Sequence, residues 1–157
     1  MSNRDRLLAD LHNLQYDRQA IELIHDDISR ITADLEAAGN SNTGDGFLRS
    51  PQNTENRSLC CPDPVYPADI HALQEERRRL TESLKLTVNH VARLERLLGM
   101  LSPEEQLVLD RMLINPYKKC TLDLMEKLHC EMSSVYRLRA RAIEKLLHLR
   151  YGAGAGE

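Results

Sequence analysis

Thr121-Leu-Asp-Leu-Met-Glu-Lys-Leu-His-Cys-Glu-Met-Ser-Ser-Val-Tyr-Arg-Leu-Arg-Ala-Arg-Ala-Ile-Glu-Lys-Leu146 is the stretch whose reading decides the fold. It predicts a short amphipathic helix, a polar break, and a second helix that is basic near its start. Leu122, Leu124, Met125 and Leu128 give the first helix one apolar side. Val135, Leu138, Ala142, Leu146 and Leu149 recur at steps of three and four, which places them on one face of the second. The outward positions near the start of that helix are then Ser133, Ser134, Tyr136, Arg137, Ala140 and Arg141. Two short helices so spaced describe a helix-turn-helix, whose second helix can lie in the major groove of duplex DNA. Hydroxyl and guanidinium groups there suit phosphate oxygens and guanine edges. Ser133, Ser134, Tyr136, Arg137 and Arg141 are therefore the expected DNA contacts, with Lys118, Lys119 and Arg139 on phosphates.

A third helix precedes this pair and turns it into a domain. Ser102-Pro-Glu-Glu105 is a capping-box pattern, with a hydroxyl at the N-cap, proline at the first helical position and glutamate at the third. Leu107, Val108, Leu109, Met112 and Leu113 follow as its expected buried side. Asn115-Pro116 ends it, because proline disfavours helix in the residue before it. A core enclosed by residues 101 to 150 alone is close to the lower limit for independent folding, so this domain is expected to lean on what precedes it.

The run from Leu101 to Gly152 resembles the DNA-binding domain of phage late-gene transcriptional activators of the ArpU/RinA type, which are similar to region four of bacterial sigma factors. The likeness rests on Ser102-Pro-Glu-Glu105, Thr121-Leu122, Ser134-Val-Tyr-Arg137, Ala142-Ile-Glu-Lys-Leu146 and Leu149-Arg-Tyr-Gly152. It implies a sigma region-four-like helix-turn-helix, double-stranded DNA as ligand, the host RNA polymerase as a second partner, and the cytoplasm of a bacterial host as the setting. The chain departs from the pattern twice. His129 stands where such turns usually have glycine, and Glu131 where serine or threonine usually opens the recognition helix.

Composition narrows the class from outside. The 157 residues include no Trp and one Phe, and 29% are charged, as in helical bundles and coiled coils. Nothing in the sequence is apolar enough for a signal peptide or a membrane span, so no membrane partner is expected. The net charge is −3, but its distribution is uneven. From Leu101 to Arg150 there are nine Lys or Arg against seven Asp or Glu, and from Glu131 to Arg150 five against two. Local rather than global charge governs phosphate contact, and an excess this modest predicts a shallow salt dependence.

Enzyme chemistry has no foothold in the sequence. Cys60, Cys61, Cys120 and Cys130 form no metal-ligand spacing, and the six histidines show no HExxH pattern. A glycine-rich phosphate loop and a nucleophile elbow are also missing. A non-enzymatic protein without a cofactor is expected.

The first hundred residues read as two coiled-coil helices. Leu7, Leu11, Leu14, Ile21, Ile24, Ile28, Ile31 and Leu35 form one stripe, with Arg18 in the seam and a phase shift between Ile21 and Ile24. Gly39-Asn-Ser-Asn-Thr-Gly-Asp-Gly46 and the polar residues up to Pro67 read as a flexible linker. Ile70, Leu73, Arg77, Leu80, Leu84, Thr87, Val91, Leu94, Leu98 and Leu101 form a second stripe without a fault. The expected organisation is all-α: an N-terminal coiled-coil helix over 1–38, a linker over 39–67, a second coiled-coil helix over 68–100, a helix-turn-helix domain over 101–151 and a tail over 152–157. The two long helices can fold back as an antiparallel hairpin or pair between chains as a homodimer. The same layout also suits a DNA-packaging protein like a small terminase subunit, or a coiled-coil interaction module without DNA binding.

Overall fold

The computed structural model describes residues 2–40 and 67–152. Helix α1 spans Asn3–Asn40 and α2 spans Pro67–Gly99. Helix α3 spans Pro103–Leu109 and widens into a π-helical turn over Asp110–Ile114, and α4 (Cys120–Leu128) and α5 (Met132–Tyr151) follow. No strand occurs among the described residues, so the chain is all-helical as expected. Helix α1 extends to Asn40 and α2 begins at Pro67, so the expected linker keeps only residues 41–66, which lie outside the described residues. Of the expected tail, only Gly152 is described.

The chain divides into two units, one comprising 1–22 with 85–157 and the other 23–84. In the first unit, three apolar clusters hold the elements together. Leu7 and Leu11 of α1 pack with Leu101, Leu109 and Leu113 and with Ala142, Ile143, Leu146 and Leu147 of α5. Leu14 packs with Val91, Leu94 and Ile114, joined by Ile21 and Leu98. Val108, Leu124 and Val135 form the third cluster, with Met125, Leu128 and Leu138 around it. The three-helix domain does lean on its predecessor, because two turns of α1 supply fully buried leucines to the core under α5. Within this unit the seam of α1 and α2 closes inside one chain. Arg18, the polar member of that seam, donates from Nε (3.1 Å) and Nη2 (2.9 Å) to Oε1 of Glu95.

The start of α3 follows its sequence signature closely. Ser102 accepts from the backbone N–H of Glu105, whose side chain accepts from the N–H of Ser102 at 3.1 Å. At the other end, the N–H of Asn115 donates to the carbonyl of Asp110 at 2.7 Å, the wide turn that ends the helix. Proline at 116 donates no hydrogen bond to continue it.

The apolar faces needed correction at their edges. Leu122, expected in the core, is 56% exposed, and Leu149 is 47% exposed. Ile114, Ile143 and Leu147 are buried in their place. The side chains at 143 and 147 sit between the steps counted from Val135, because a neighbour on two sides buries a broader stripe than a three–four repeat traces.

In the second unit, Ile31 and Ala38 of α1 are buried, while Ile24, Ile28, Leu35, Ile70, Leu73, Leu80 and Leu84 are half-buried. Among its described residues the ion pairs run within single helices, Arg30 to Asp27 and Arg78 to Glu75, both at 2.8 Å. Thr32 and Thr81 donate to the carbonyls of Ile28 and Arg77 four residues back.

Candidate nucleic-acid interface

Helix α4 ends in a left-handed residue. His129 has φ 48° and ψ 44°, and the N–H groups of both His129 and Cys130 donate to the carbonyl of Met125. This is a left-handed C-cap, in which the residues just past the helix turn their N–H groups back onto a carbonyl of its last turn. Glycine adopts that backbone freely, whereas histidine does so at a steric penalty. The departure from the usual glycine at 129 therefore falls on a residue that has the glycine-like conformation. Three residues separate Leu128 from Met132, the length of a helix-turn-helix connection.

Glu131 is the N-cap of α5, with extended backbone and no side-chain hydrogen bond to the helix. The N–H groups of Ser134 and Val135 donate to its carbonyl at 2.9 and 3.2 Å. The first turn thus starts without the hydroxyl or short carboxylate that normally caps it.

The expected contact residues divide by burial. Ser133, Tyr136, Arg137 and Arg141 are exposed along one side of α5, with Ala140 between them, while Val135, Ala142 and Leu146 are buried on the opposite side. Arg137 donates to Ser133 Oγ one turn back, at 3.4 Å. Ser134 is half-buried, so its hydroxyl is less available than its neighbours'. Arg139 is also half-buried, and its Nε is enclosed without a hydrogen-bond partner. Lys118 and Lys119 are exposed in the turn before α4, where Lys119 adopts φ 72°.

The charges on α5 sort into two groups. Lys145 pairs with Glu105, and Arg150 with Asp10 of α1. Among the described residues, Arg137, Arg139, Arg141, Lys118 and Lys119 make no ion pair. The cations that brace the fold are thus distinct from those that face outward.

Sequence reading missed several participants. Arg111 lies over the ring of Tyr117, 5.5 Å from its centre, and the Tyr117 hydroxyl donates to Asp123. That hydrogen bond raises the phenol's pKa and lowers the carboxylate's, since it favours protonated tyrosine beside ionised aspartate. The network ties the π-helical turn and α4 to the segment bearing Lys118 and Lys119. Met132, 48% exposed, stands beside Ser133 and Tyr136 at the start of α5. No local spacing rule marks these pairings, because Arg111, Tyr117 and Asp123 lie on three different elements.

Elsewhere in this unit, a cleft of about 530 Å³ is lined by Arg18, Glu95, Leu98, Leu107, Asp110 and Ile114 among others. It gathers two carboxylates, one of them already bound to Arg18, over an apolar floor. Cys120 and Cys130 are free and half-buried, and no cluster of metal-ligating side chains occurs among the described residues. Cys60 and Cys61 lie outside the described residues. No described helix is long and apolar enough to cross a membrane.

No protein-family model matches the chain, and no solved structure matches it. The chain is similar to Golgin-84 of Oryza sativa subsp. japonica, with 28% identity over 129 residues. That stretch is 77% of this chain and 18% of the golgin, so the chain spans under a fifth of that relative's length. The likeness speaks for coiled-coil character and not for a function.

Proposed function

We propose that the chain is a sequence-specific DNA-binding transcriptional regulator of the phage late-gene activator kind, with α5 as its recognition helix. The observation that carries this reading is the exposed side of α5. There Ser133, Tyr136, Arg137 and Arg141 are exposed, with neither arginine in an ion pair among the described residues, above a helix anchored by buried Val135, Ala142 and Leu146. An Arg one turn into such a helix can reach a base edge, and small Ala140 lets the helix approach the groove. Lys118 and Lys119 flank this face from the turn before α4 and suit backbone phosphates. In this reading Arg139 stiffens α5 from a half-buried position and reaches a phosphate only with its outer nitrogens. Two copies of the chain would offer two recognition helices to a palindromic operator, and host RNA polymerase would be the second macromolecular partner.

Titration of cognate and scrambled duplexes at several salt concentrations tests it, with the cognate site found by genome-wide mapping. Arg137→Ala is expected to weaken cognate binding by about 1–3 kcal/mol and to relax preference at one base position. Lys119→Ala is expected to weaken all duplexes alike and to lower the salt slope by about one. If neither variant changes binding, α5 is no recognition helix and a protein-interaction module takes its place.

A further inference from the structure

Two rows of side chains run along the exposed side of α5, each at steps of four residues. Met132, Tyr136 and Ala140 form one, and Ser133, Arg137 and Arg141 the other; all six are exposed. Residues four apart lie one above the other on a helix surface, so an apolar row stands beside a polar, cationic one. The apolar row is not part of the core. Met132 is 48% and Tyr136 47% exposed, and neither belongs to any of the three apolar clusters. Continued by one step, the first row reaches Glu144 and the second Lys145, which is engaged by Glu105. Exposed carboxylates at 144 and, before the first turn, at 131 repel phosphates. The part of this side that is neutral or cationic is therefore 132–141, the first half of α5. In a helix-turn-helix that half meets the base edges.

The two rows suit two different surfaces of the major groove. Guanine offers N7 and O6 as acceptors, which match Arg137, and thymine offers a methyl group at C5. Among the described residues Arg137 and Arg141 make no ion pair, so they call for an anionic occupant. Met132 and Tyr136 gain nothing from phosphates and call for an apolar group on that same occupant. Ala140 is short enough to let both rows approach.

We infer that Met132 and Tyr136 read thymine methyl groups beside the guanine read by Arg137, so that the target site has thymine and guanine in neighbouring base pairs. The inference rests on α5 being the recognition helix, and it adds what the recognised sequence contains.

Titration of the full chain against its mapped cognate duplex tests this, with each thymine replaced in turn by deoxyuridine. Deoxyuridine keeps the pairing and hydrogen-bonding edges of thymine and lacks only the methyl group. Replacement beside the base at which Arg137→Ala relaxes preference is expected to weaken binding about fourfold, the value of one buried methyl group. Met132→Ala with Tyr136→Ala should weaken binding to the thymine duplex and cease to distinguish it from the deoxyuridine duplex, at unchanged helicity by circular dichroism. Deoxyuridine tolerated at every position, while Arg137→Ala still relaxes base preference, overturns the methyl reading and leaves the recognition helix standing. A double variant that weakens both duplexes by the same factor also overturns it and gives the apolar row a positioning role. So does a double variant that binds both duplexes as wild type does but no longer binds RNA polymerase, which makes the row a protein contact. A wild type without sequence preference refutes the recognition helix itself, and this inference with it. If the double variant fails to fold, the deoxyuridine series on wild type decides alone.

Discussion

Lys145 Nζ donates to both carboxylate oxygens of Glu105, at 2.7 and 3.0 Å, across forty residues of sequence. Glu105 is 2% exposed, and the same carboxylate accepts from the N–H of Ser102 that opens α3. One buried acid thus caps α3 and ties it to α5. The ammonium of Lys145 holds its pKa below the ordinary value of 4.5, with the Ser102 N–H assisting and burial opposing.

Lys145→Met should therefore destabilise the fold by about 1–3 kcal/mol at pH 7, because it leaves a buried carboxylate with one partner fewer. A depressed pKa contributes stability that is complete above the ordinary carboxylate value and is lost as pH falls through the folded value. The gap between wild type and Lys145→Met should accordingly shrink below about pH 4, the ordinary glutamate range. Urea unfolding at pH 7 and at pH 3.5–4 measures both, and an unchanged gap would remove Glu105 as its source.

His129 occupies a left-handed backbone position at which histidine is strained. His129→Gly should relieve that strain and stabilise the domain by up to about 1 kcal/mol, net of glycine's greater freedom in the unfolded chain. His129→Val should destabilise it by about 1 kcal/mol or more, since a β-branched residue tolerates this region least. Chemical denaturation orders the three proteins, and Gly below wild type would refute the strain.

Glu131 caps α5 without a side-chain hydrogen bond and places a carboxylate beside the proposed contact face. Glu131→Ser should supply the missing acceptor and raise stability by about 1 kcal/mol. It should also tighten binding to all duplexes and steepen the salt dependence, because one phosphate-repelling charge is gone. Thermal unfolding and a salt titration read these effects separately.

Tyr117 and Asp123 should titrate as a linked pair. The hydroxyl bond to Asp123 raises the phenol above its ordinary value of 10.0, so Asp123→Asn should bring it down. Phenolate absorbance during alkaline titration, with Tyr117→Phe as reference, follows this one group. A titration curve identical in wild type and Asp123→Asn would mean the bond does not form in solution.

The long-helix layout, the capping box at Ser102 and the three-residue break before α5 were all legible in the sequence. Each is local: a repeat of three and four, or a serine, proline and glutamate in a row, sets backbone preference within a few residues. Of the candidate contacts, Ser133, Tyr136, Arg137 and Arg141 could be placed outward in the same way, as positions opposite Val135 and Ala142. Ser134 and Arg139 could not, since they lie at the margin of the apolar stripe, where a neighbouring element decides exposure.

Tertiary structure alone decided how wide each buried stripe would be and which charges would find partners. Periodicity names the face of a helix, but not how much of that face another element covers; hence Leu122 and Leu149 face outward and Ile143 and Leu147 inward. It is equally silent on pairs distant in sequence. Nothing near Glu105 announces Lys145, and nothing near Asp10 announces Arg150. The sequence determined an all-helical chain with a basic helix after a short turn. Packing determined that Lys145 and Arg150 brace that helix, leaving Arg137 and Arg141 to face the solvent.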